Sequence, residues 1–386
     1  MILTRNLAQK IVNNTMNVLG KNINIMNHEG IIIGSGDEKR LDTYHEIAAR
    51  VLDSGMPNII NETEASSYKG VKEGINLPIK FQKMIIGVVG ITGNTNEVAG
   101  YGEIVKNMVE LILQQEFLMR EIEIENKAKE YFYQQLLSNS IEEEELLNDR
   151  INLLDIKVDC YRVVILINMK PFNNKKVSYE IQHISNLSTL ISKDDVLLIR
   201  GENLVLIKVL EEKDFKEQSE NILDTAKKIK SYFEDENTKV TIGIGQIFKE
   251  LEHLSISYQG AKQALKVGEK VYKTYSEDTK DIYYLNRLGF DFFLPAIDED
   301  AARYYLHHLF DRNIAKIFRD SNIGEVIESL AENNFNVSKT ADKLYIHRNT
   351  LLYRLKNIKE VTGLDPKNLI DLYSLLFAYH LYKYQN

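Results

Sequence analysis

The chain of 386 residues has one cysteine, five prolines and no tryptophan. A single cysteine cannot form an internal disulfide bond, and the position of Cys160 at the start of an apolar stretch favours a buried small side chain over a reactive thiol. No apolar run is long enough to span a bilayer, and the first twenty residues lack the continuous apolar core of a signal peptide. We therefore expect a soluble cytoplasmic protein that does not contact the membrane.

Motifs of several enzyme and metal-site classes are also missing. The sequence has no Walker-type phosphate loop, and no pair of cysteines or histidines has the spacing that binds zinc. The acidic run 142–145 is interpreted as the solvated start of a helix. We predict neither a metal nor a cofactor, in a chain long enough for two to three domains with separate cores.

Two short helical patterns lie near the C-terminus with a three-residue turn between them. Ser338 is a candidate N-cap of the first, and in both patterns the apolar residues recur three or four positions apart. These residues are Val337, Ala341 and Leu344, followed by Leu351, Leu352, Leu355 and Ile358. Ala341 is small where two helices must cross, and Gly363 ends the second helix. The pattern is typical of a helix-turn-helix.

The other face of these helices carries side chains that reach base edges and phosphates when a helix N-terminus enters the major groove. The candidate DNA-binding residues are Lys339, Arg348, Asn349, Thr350, Tyr353 and Arg354. From 339 to 359 six basic residues stand against one acid, although the whole chain has a net charge of -8. Only a small surface can therefore attract double-stranded DNA. A helical hairpin with a solvated basic face, or a scaffold that binds protein, remains an alternative.

The stretch 336–355, with Ile346-His347-Arg348-Asn349-Thr350-Leu351 at its centre, resembles the C-terminal DNA-binding segment of the PucR and CdaR bacterial regulators. The stretches 32–37, 74–79 and 86–93 resemble the sugar-diacid recognition domain of carbohydrate diacid regulators. This resemblance reaches both ends of the chain. It implies a non-enzymatic transcriptional regulator that binds an operator and a small carboxylate or sugar diacid effector, such as glucarate, galactarate or glycerate.

The same resemblance suggests where the effector binds. Ser35 lies in the first matching stretch, and Arg40 and His45 stand where the family has an arginine and a histidine after its Gly-Asp turn. Such a pair suits a carboxylate, and we expect the backbone amides of Gly74, Ile75 and Asn76 to donate to it as well. The plain alternatives are a solvated surface arginine and a core histidine that satisfies a local hydrogen bond.

We predict a multidomain α+β protein with four parts. They are a PAS-like sensor at 1–115, a linker and dimerisation helix at 116–148, a degenerate GGDEF-like α/β domain at 149–290 and an all-α helix-turn-helix domain at 291–386.

Apolar residues follow a heptad register along the predicted long helix, which favours a seam between two copies of the chain. They are Ile104, Met108, Leu111, Leu118, Ile122, Phe132 and Leu136, and the register is interrupted by Gln115, Glu125 and Lys129. A homodimer would match a two-fold operator. A helix packed on its own domain is the alternative.

The middle region resembles a GGDEF-type nucleotide cyclase fold. Those cyclases have a metal-binding aspartate after the first strand and an acidic Gly-Gly hairpin, since Mg²⁺ prefers hard oxygen ligands. Here Asn168-Met169-Lys170 follows the first strand, and the hairpin retains only Gly201 and Glu202. Because an amide and a cation cannot replace a carboxylate ligand, we interpret this domain as a transmission or dimerisation module. A nucleotide-binding or cyclase-type signalling enzyme is the alternative.

Overall fold

The computed structural model describes residues 3–68, 71–140, 144–170, 187, 191–211, 214–235, 238–272, 281–310, 317–318 and 322–386. The chain forms two compact units, residues 1–128 and 129–386, and both combine helices with a sheet. The predicted multidomain α+β class is therefore confirmed. Among the described residues, no helix has both the length and the apolar character needed to cross a membrane.

An antiparallel sheet of five strands is the centre of the first unit. Its strands are β1 (Ile23–Asn27), β2 (Ile32–Ser35), β3 (Asn58–Ile60), β4 (Gly74–Phe81) and β5 (Met84–Thr92), in the order β2-β1-β5-β4-β3. Helices α1 (Arg5–Leu19) and α4 (Thr95–Leu137) pack on one face, whereas α2 (Glu46–Ser54) packs on the other. The short α3 (Glu62–Ala65) follows β3.

Helix α4 has two different faces within the first unit. Val98, Val105, Val109 and Leu113, spaced three or four residues apart, are buried against the sheet. On the other side a second set of large apolar residues is exposed, and this set contains Ile104, Leu111, Leu118 and Ile122. These four belong to the predicted heptad seam.

The C-terminal end of that seam has a different environment. Phe132 and Leu136 are buried in the core of the second unit, where they pack with residues of their own chain. The prediction of one continuous seam from Ile104 to Leu136 is therefore wrong. The heptad spacing arises because two separate apolar faces of one helix, each with helical periodicity, happen to share a register.

The second unit contains a five-stranded sheet of order β10-β9-β6-β8-β7. Its strands are β6 (Tyr161–Lys170), β7 (Val196–Arg200), β8 (Asn203–Leu210), β9 (Lys239–Phe248) and β10 (Ile282–Tyr284), of which only the described pair β9–β10 is parallel. Alternate residues of β6 face α6 (Phe215–Asp235) and α7 (Leu254–Val271), so both faces of this strand are apolar. The predicted hairpin across 200–203 is confirmed.

Two further features precede and begin this sheet. Helix α5 (Glu144–Leu153) leads into it. Cys160, immediately before β6, is buried as expected, and burial raises the pKa of its thiol.

The C-terminal helices share a core with the α7 side of the sheet. They are α8 (Glu299–Phe310), α9 (Ile323–Glu332), α10 (Val337–Lys343), α11 (Arg348–Thr362) and α12 (Leu369–Gln385), and they follow a 3₁₀ segment at Gly289–Ala296. Helices α9 and α12 cross closely at Gly324, where a Cβ atom would lie within 2.0 Å of the Tyr379 ring. Only glycine fits at this crossing.

A charged cluster lies inside this shared core. The Nδ1 atom of His380 is 2.7 Å from Oδ2 of Asp291, and its Nε2 is 3.3 Å from Oε1 of Glu328. Lys383 reaches the same Glu328 oxygen at 3.1 Å, and the hydroxyl of Tyr272 donates to Asp291. Burial alone would lower the pKa of His380, but the two carboxylates outweigh it and raise that pKa. The charged cluster thus joins α12 to α9, to the 3₁₀ segment and to the end of α7.

Candidate functional site

Helices α10 and α11 begin at polar caps. The side chain of Asn336 accepts the N–H of Lys339 at 3.1 Å and caps α10, so the expected cap at Ser338 is wrong, because Ser338 lies inside the helix. His347 caps α11, since its Nδ1 accepts the N–H of Asn349 at 3.2 Å. The backbone of both helix starts is therefore fixed by short local hydrogen bonds.

The two helices pack through the apolar residues that the sequence indicated. Ala341, Leu351, Leu355 and Ile358 are buried, and Ile346 of the turn packs on the same core. The left-handed Gly363 ends α11 as predicted. The apolar sides of α10 and α11 are thus occupied, and only their outer face is left for a partner.

That outer face carries the predicted DNA-binding residues. Lys339, Arg348, Asn349, Thr350 and Tyr353 are exposed, and Arg354 is half-buried. Sequence reasoning missed Tyr345, which lies in the turn with φ 53° and is 97% exposed. A large ring left in solvent at the turn of a helix-turn-helix is available for contact with a backbone or a groove. The signal for it was the aromatic residue inside the predicted turn.

Ion pairs divide the six basic residues of 339–359 into two sets. The paired ones are Lys343 with Glu332, Lys356 with Glu360 and Lys359 with Asp365. Lys339, Arg348 and Arg354 have no acidic partner among the residues that the structure describes. These three cations are free to meet a phosphate or a base without first losing an ion pair.

A row of polar side chains crosses the sheet of the first unit. Ser35, Asn24, Gly90, Asn76 and Asn58 are paired in that order across β2, β1, β5, β4 and β3. Residues directly opposite each other on neighbouring strands point to the same face, so these side chains lie together on the face covered by α2. We refer to these five residues as the polar row.

Four residues of the polar row are buried and Asn58 is half-buried, and the hydrogen bonding of the row is incomplete. Ser35 donates to Oδ1 of Asn24 at 2.6 Å and accepts the N–H of Asp37 at 3.0 Å. Asn76 is only 5% exposed, and its side chain has no hydrogen-bond partner among the described residues. Oδ1 of Asn58 is likewise buried without a partner. Such groups are rare in folded proteins because an unmade buried hydrogen bond is costly, so they indicate a place for a polar ligand.

Arg40 and His45 lie on the segment between β2 and α2. His45 is buried, and its Nδ1 accepts the N–H of Ala48 at 3.2 Å as the N-cap of α2. Burial and, after it, the charge of Arg40 lower the pKa of His45 to about 4. His45 is therefore neutral near pH 7, which fits the alternative of a core histidine with a local hydrogen bond. Arg40 is half-buried and its pKa is lowered by burial, against the charge of Asp37.

The structure corrects the role expected of the backbone at Gly74, Ile75 and Asn76. Strand β4 is paired with β3 on one side and β5 on the other at all three positions. Its N–H groups therefore serve the sheet and are not free for a carboxylate. The side chain of Ile75 belongs to the core on the opposite face. Of the three residues, Asn76 offers a ligand its side-chain amide.

A cleft of about 460 Å³ opens beside β6 and α7 in the second unit. Amides and lysines line it, among them Asn168, Asn203, Lys262 and Lys266. Nδ2 of Asn168 donates to Oδ1 of Asn203 at 2.9 Å, at the place where the resemblance to cyclases puts a metal-binding aspartate. The described residues contain no cluster of three or more His, Cys, Asp or Glu side chains that is suited to a metal.

Three family profiles match successive parts of the chain: putative sugar diacid recognition at 3–136, a GGDEF-like domain at 138–267 and a PucR C-terminal helix-turn-helix domain at 324–381. The carbohydrate diacid regulator of Escherichia coli is 29% identical over 97% of each chain. An uncharacterized protein of Haemophilus influenzae is 27% identical over 97% of this chain and 98% of its own. The DNA-binding transcriptional activator AdeR of Bacillus subtilis is 25% identical over 67% of this chain and 60% of its own.

Proposed function

Because the chain belongs to the carbohydrate diacid regulator family and ends in a PucR-type helix-turn-helix, we propose that it is a transcriptional regulator whose operator binding responds to a carbohydrate diacid or hydroxy acid. Glucarate, galactarate and glycerate are the candidate effectors. The observation that carries DNA binding is the first turn of α11, where Arg348, Asn349 and Thr350 are exposed on a buried helix pair.

At the DNA, this turn enters the major groove. Arg348 and Asn349 have the side chains that pair with guanine and adenine edges, respectively. Lys339 and Arg354, which have no acidic partner in the described part of the chain, contact phosphates beside them. Thr350 and Tyr353 complete the contact, because both are exposed on the same helix.

The regulator acts as a homodimer in this proposal. The exposed apolar residues of α4, which include Ile104, Leu111, Leu118 and Ile122, provide a strip for a second copy of the same helix. The helix-turn-helix of one chain offers DNA three cations without an acidic partner in the described residues, whereas the whole chain has a net charge of -8. Two helix-turn-helix domains, correctly spaced in a dimer, double the attraction to a two-fold operator.

The effector acts by shifting the population of conformations in the dimer. It binds one conformation of the sensor better, and α4 is the element that connects the two units of each chain. A coupling of about 1 to 3 kcal/mol changes operator affinity by roughly 5- to 150-fold, which is sufficient for control of transcription.

DNA reading is tested by fluorescence anisotropy of the full-length protein on an operator selected from fragments of its own genome and on random DNA. The variant Arg348→Ala should lose about 1 to 3 kcal/mol on the operator and little on random DNA, since a base contact carries the loss. Arg303→Ala, which changes an exposed arginine of α8, is the matched control. Equal loss on both DNAs would contradict base reading.

Two results separate this function from its alternatives. Steep loss of affinity for DNA with rising salt indicates phosphate contact, whereas an apolar protein-binding scaffold would not show it.

The cleft beside Asn168 is lined by two lysines and makes nucleotide binding the second candidate function. Turnover of GTP with Mg²⁺ would overturn our interpretation that the middle domain is not an enzyme.

A further inference from the structure

We infer that the polar row is the subsite that reads the hydroxyl groups of the effector, so that a hydroxylated acid is distinguished from a plain carboxylic acid of the same chain length. This inference rests on the proposed sensor function and assigns the ligand's hydroxyl groups, rather than its carboxylates, to Asn24, Asn76 and Asn58. It follows from the register of the sheet, from hydrogen bonds that are not made, and from the chemistry of the amide group.

The register places two amides on either side of a glycine. Asn24 and Asn76 flank Gly90, and neighbouring strands are about 4.8 Å apart, so the two asparagines are separated by about 10 Å on one face. A Cβ atom at Gly90 would lie 2.8 Å from Oδ1 of Asn76 and 3.5 Å from Cε of Met26. Because Gly90 has no side chain, the amide of Asn76 can lie over the middle strand, on the side that faces Asn24.

The chemistry of the polar row matches hydroxyl groups. An asparagine side chain offers two donors and an acceptor, and a hydroxyl group is both a donor and an acceptor, so the two satisfy each other without charge. Asn76 has no side-chain partner in the described residues, and Oδ1 of Asn58 has none either. The row contains no ionisable side chain. The segment that follows β2 carries two cations, Lys39 and Arg40.

Neighbouring residues show that this face of the sheet can pack against α2 without amide side chains. One step along the strands from the polar row, Met26 and Val88 pack with Ala48 and Val51 of α2 in an apolar cluster. A continuation of that cluster would bury apolar groups at no hydrogen-bonding cost. One buried face thus changes from apolar to polar residues, and ligand binding explains why the polar ones are there.

Isothermal titration calorimetry of the full-length protein tests this assignment with matched pairs of acids. Galactarate and glucarate are each compared with adipate, which has the same six carbons and no hydroxyl group, and glycerate is compared with propionate. At least one hydroxylated acid should bind on the order of tenfold more tightly than its plain counterpart. Asn76→Ala should remove most of that difference, and Gly90→Ala should do the same by displacing the Asn76 amide, whose Oδ1 lies 2.8 Å from the position of the new Cβ atom. Asn6→Ala, an exposed asparagine of α1, is the control.

The outcomes distinguish the subsite from the proposed function. Equal binding of a hydroxylated acid and its plain counterpart by the unchanged protein would overturn the subsite and leave acid sensing intact. Full discrimination retained by Asn76→Ala would overturn it as well. If no acid bound at all, both the subsite and the sensor function would fail. Should Gly90→Ala not fold, the acid pairs and Asn76→Ala still decide the question.

Discussion

Two groups of buried polar side chains, one in each unit, differ in how they are paired. In the first unit the polar row consists of neutral side chains, two of which lack partners among the described residues, and His45 of the same unit is kept neutral with a pKa of about 4. In the second unit ion pairs connect the members of the charged cluster around His380, although Nε2 of that histidine makes no hydrogen bond, and the pKa of His380 is raised. The ion pairs of the charged cluster hold helices together, whereas the side chains of Asn58 and Asn76 join no other element.

This difference has an energetic basis. Breaking a buried ion pair by removing one partner leaves an uncompensated charge, which typically costs about 3 to 5 kcal/mol. Removing a buried amide that has no partner removes a desolvation cost instead. We therefore expect substitutions in the charged cluster to lower the free energy of unfolding and substitutions in the polar row to leave it unchanged.

The largest effect is expected for Asp291→Ala. Asp291 accepts from Tyr272 and faces Nδ1 of His380 at 2.7 Å, so its loss removes the carboxylate partner of a buried histidine. We expect the second unit to lose about 3 to 5 kcal/mol at neutral pH. Urea unfolding monitored by circular dichroism measures this loss.

Asp300→Ala is the control for that substitution. Asp300 forms an exposed ion pair with Arg303 at 3.4 Å, and such pairs contribute about 1 kcal/mol or less. If both variants lost the same small amount, the charged cluster would not hold the helices together and the contrast between the units would disappear.

A smaller effect is expected from pH, with opposite signs in the two units. The folded-state pKa of His45 is lowered from 6.5 to about 4, so its contribution to stability is present above pH 6.5 and is lost as pH falls toward 4. This loss amounts to about 2 kcal/mol between about pH 7 and pH 5. The pKa of His380 is raised, so its contribution is complete below pH 6.5 and is lost as pH rises through the folded-state value.

Two variants isolate these contributions. His45→Asn keeps an N-cap acceptor for the N–H of Ala48 but does not titrate, so it should gain stability relative to the unchanged protein as pH falls. His380→Gln should remove the loss on the alkaline side. The measurement is the free energy of unfolding as a function of pH, and parallel curves for His45→Asn and the unchanged protein would contradict the neutral state of His45.

The sequence predicted the helix-turn-helix more completely than it predicted the sensor site. The packing of α10 and α11 depends on residues within about twenty positions, so the period of Ala341, Leu351, Leu355 and Ile358 was enough to define it. The cap was misplaced by two residues because Ser338 and Asn336 have equivalent side-chain chemistry for that role.

The polar row could not be found in this way, because its members come from five strands. Nothing in the sequence around Asn24 or Asn58 indicates that either pairs, through β1, β5, β4 and β3, with Asn76. The register that aligns them is set by long-range strand pairing, which residue patterns do not encode locally. The same limit explains Gly74 and Ile75, because the pairing of their strand with both β3 and β5 cannot be seen in the residues around them.

The smallest effect on stability is expected for Asn76→Leu. Whether this substitution stabilises or destabilises the first unit distinguishes a ligand-binding role of Asn76 from a structural one. Leucine has nearly the same volume, removes a buried amide without a partner, and extends the neighbouring apolar cluster of Met26 and Val88. We expect the first unit to be unchanged or stabilised by about 1 kcal/mol in urea unfolding, although the same variant loses its preference for hydroxylated acids. A loss of several kcal/mol would mean that Asn76 holds the sheet together, as Asp291 holds the helices. A gain in stability together with a loss of binding is the signature of a residue kept for its ligand, because a purely structural residue gives both losses at once.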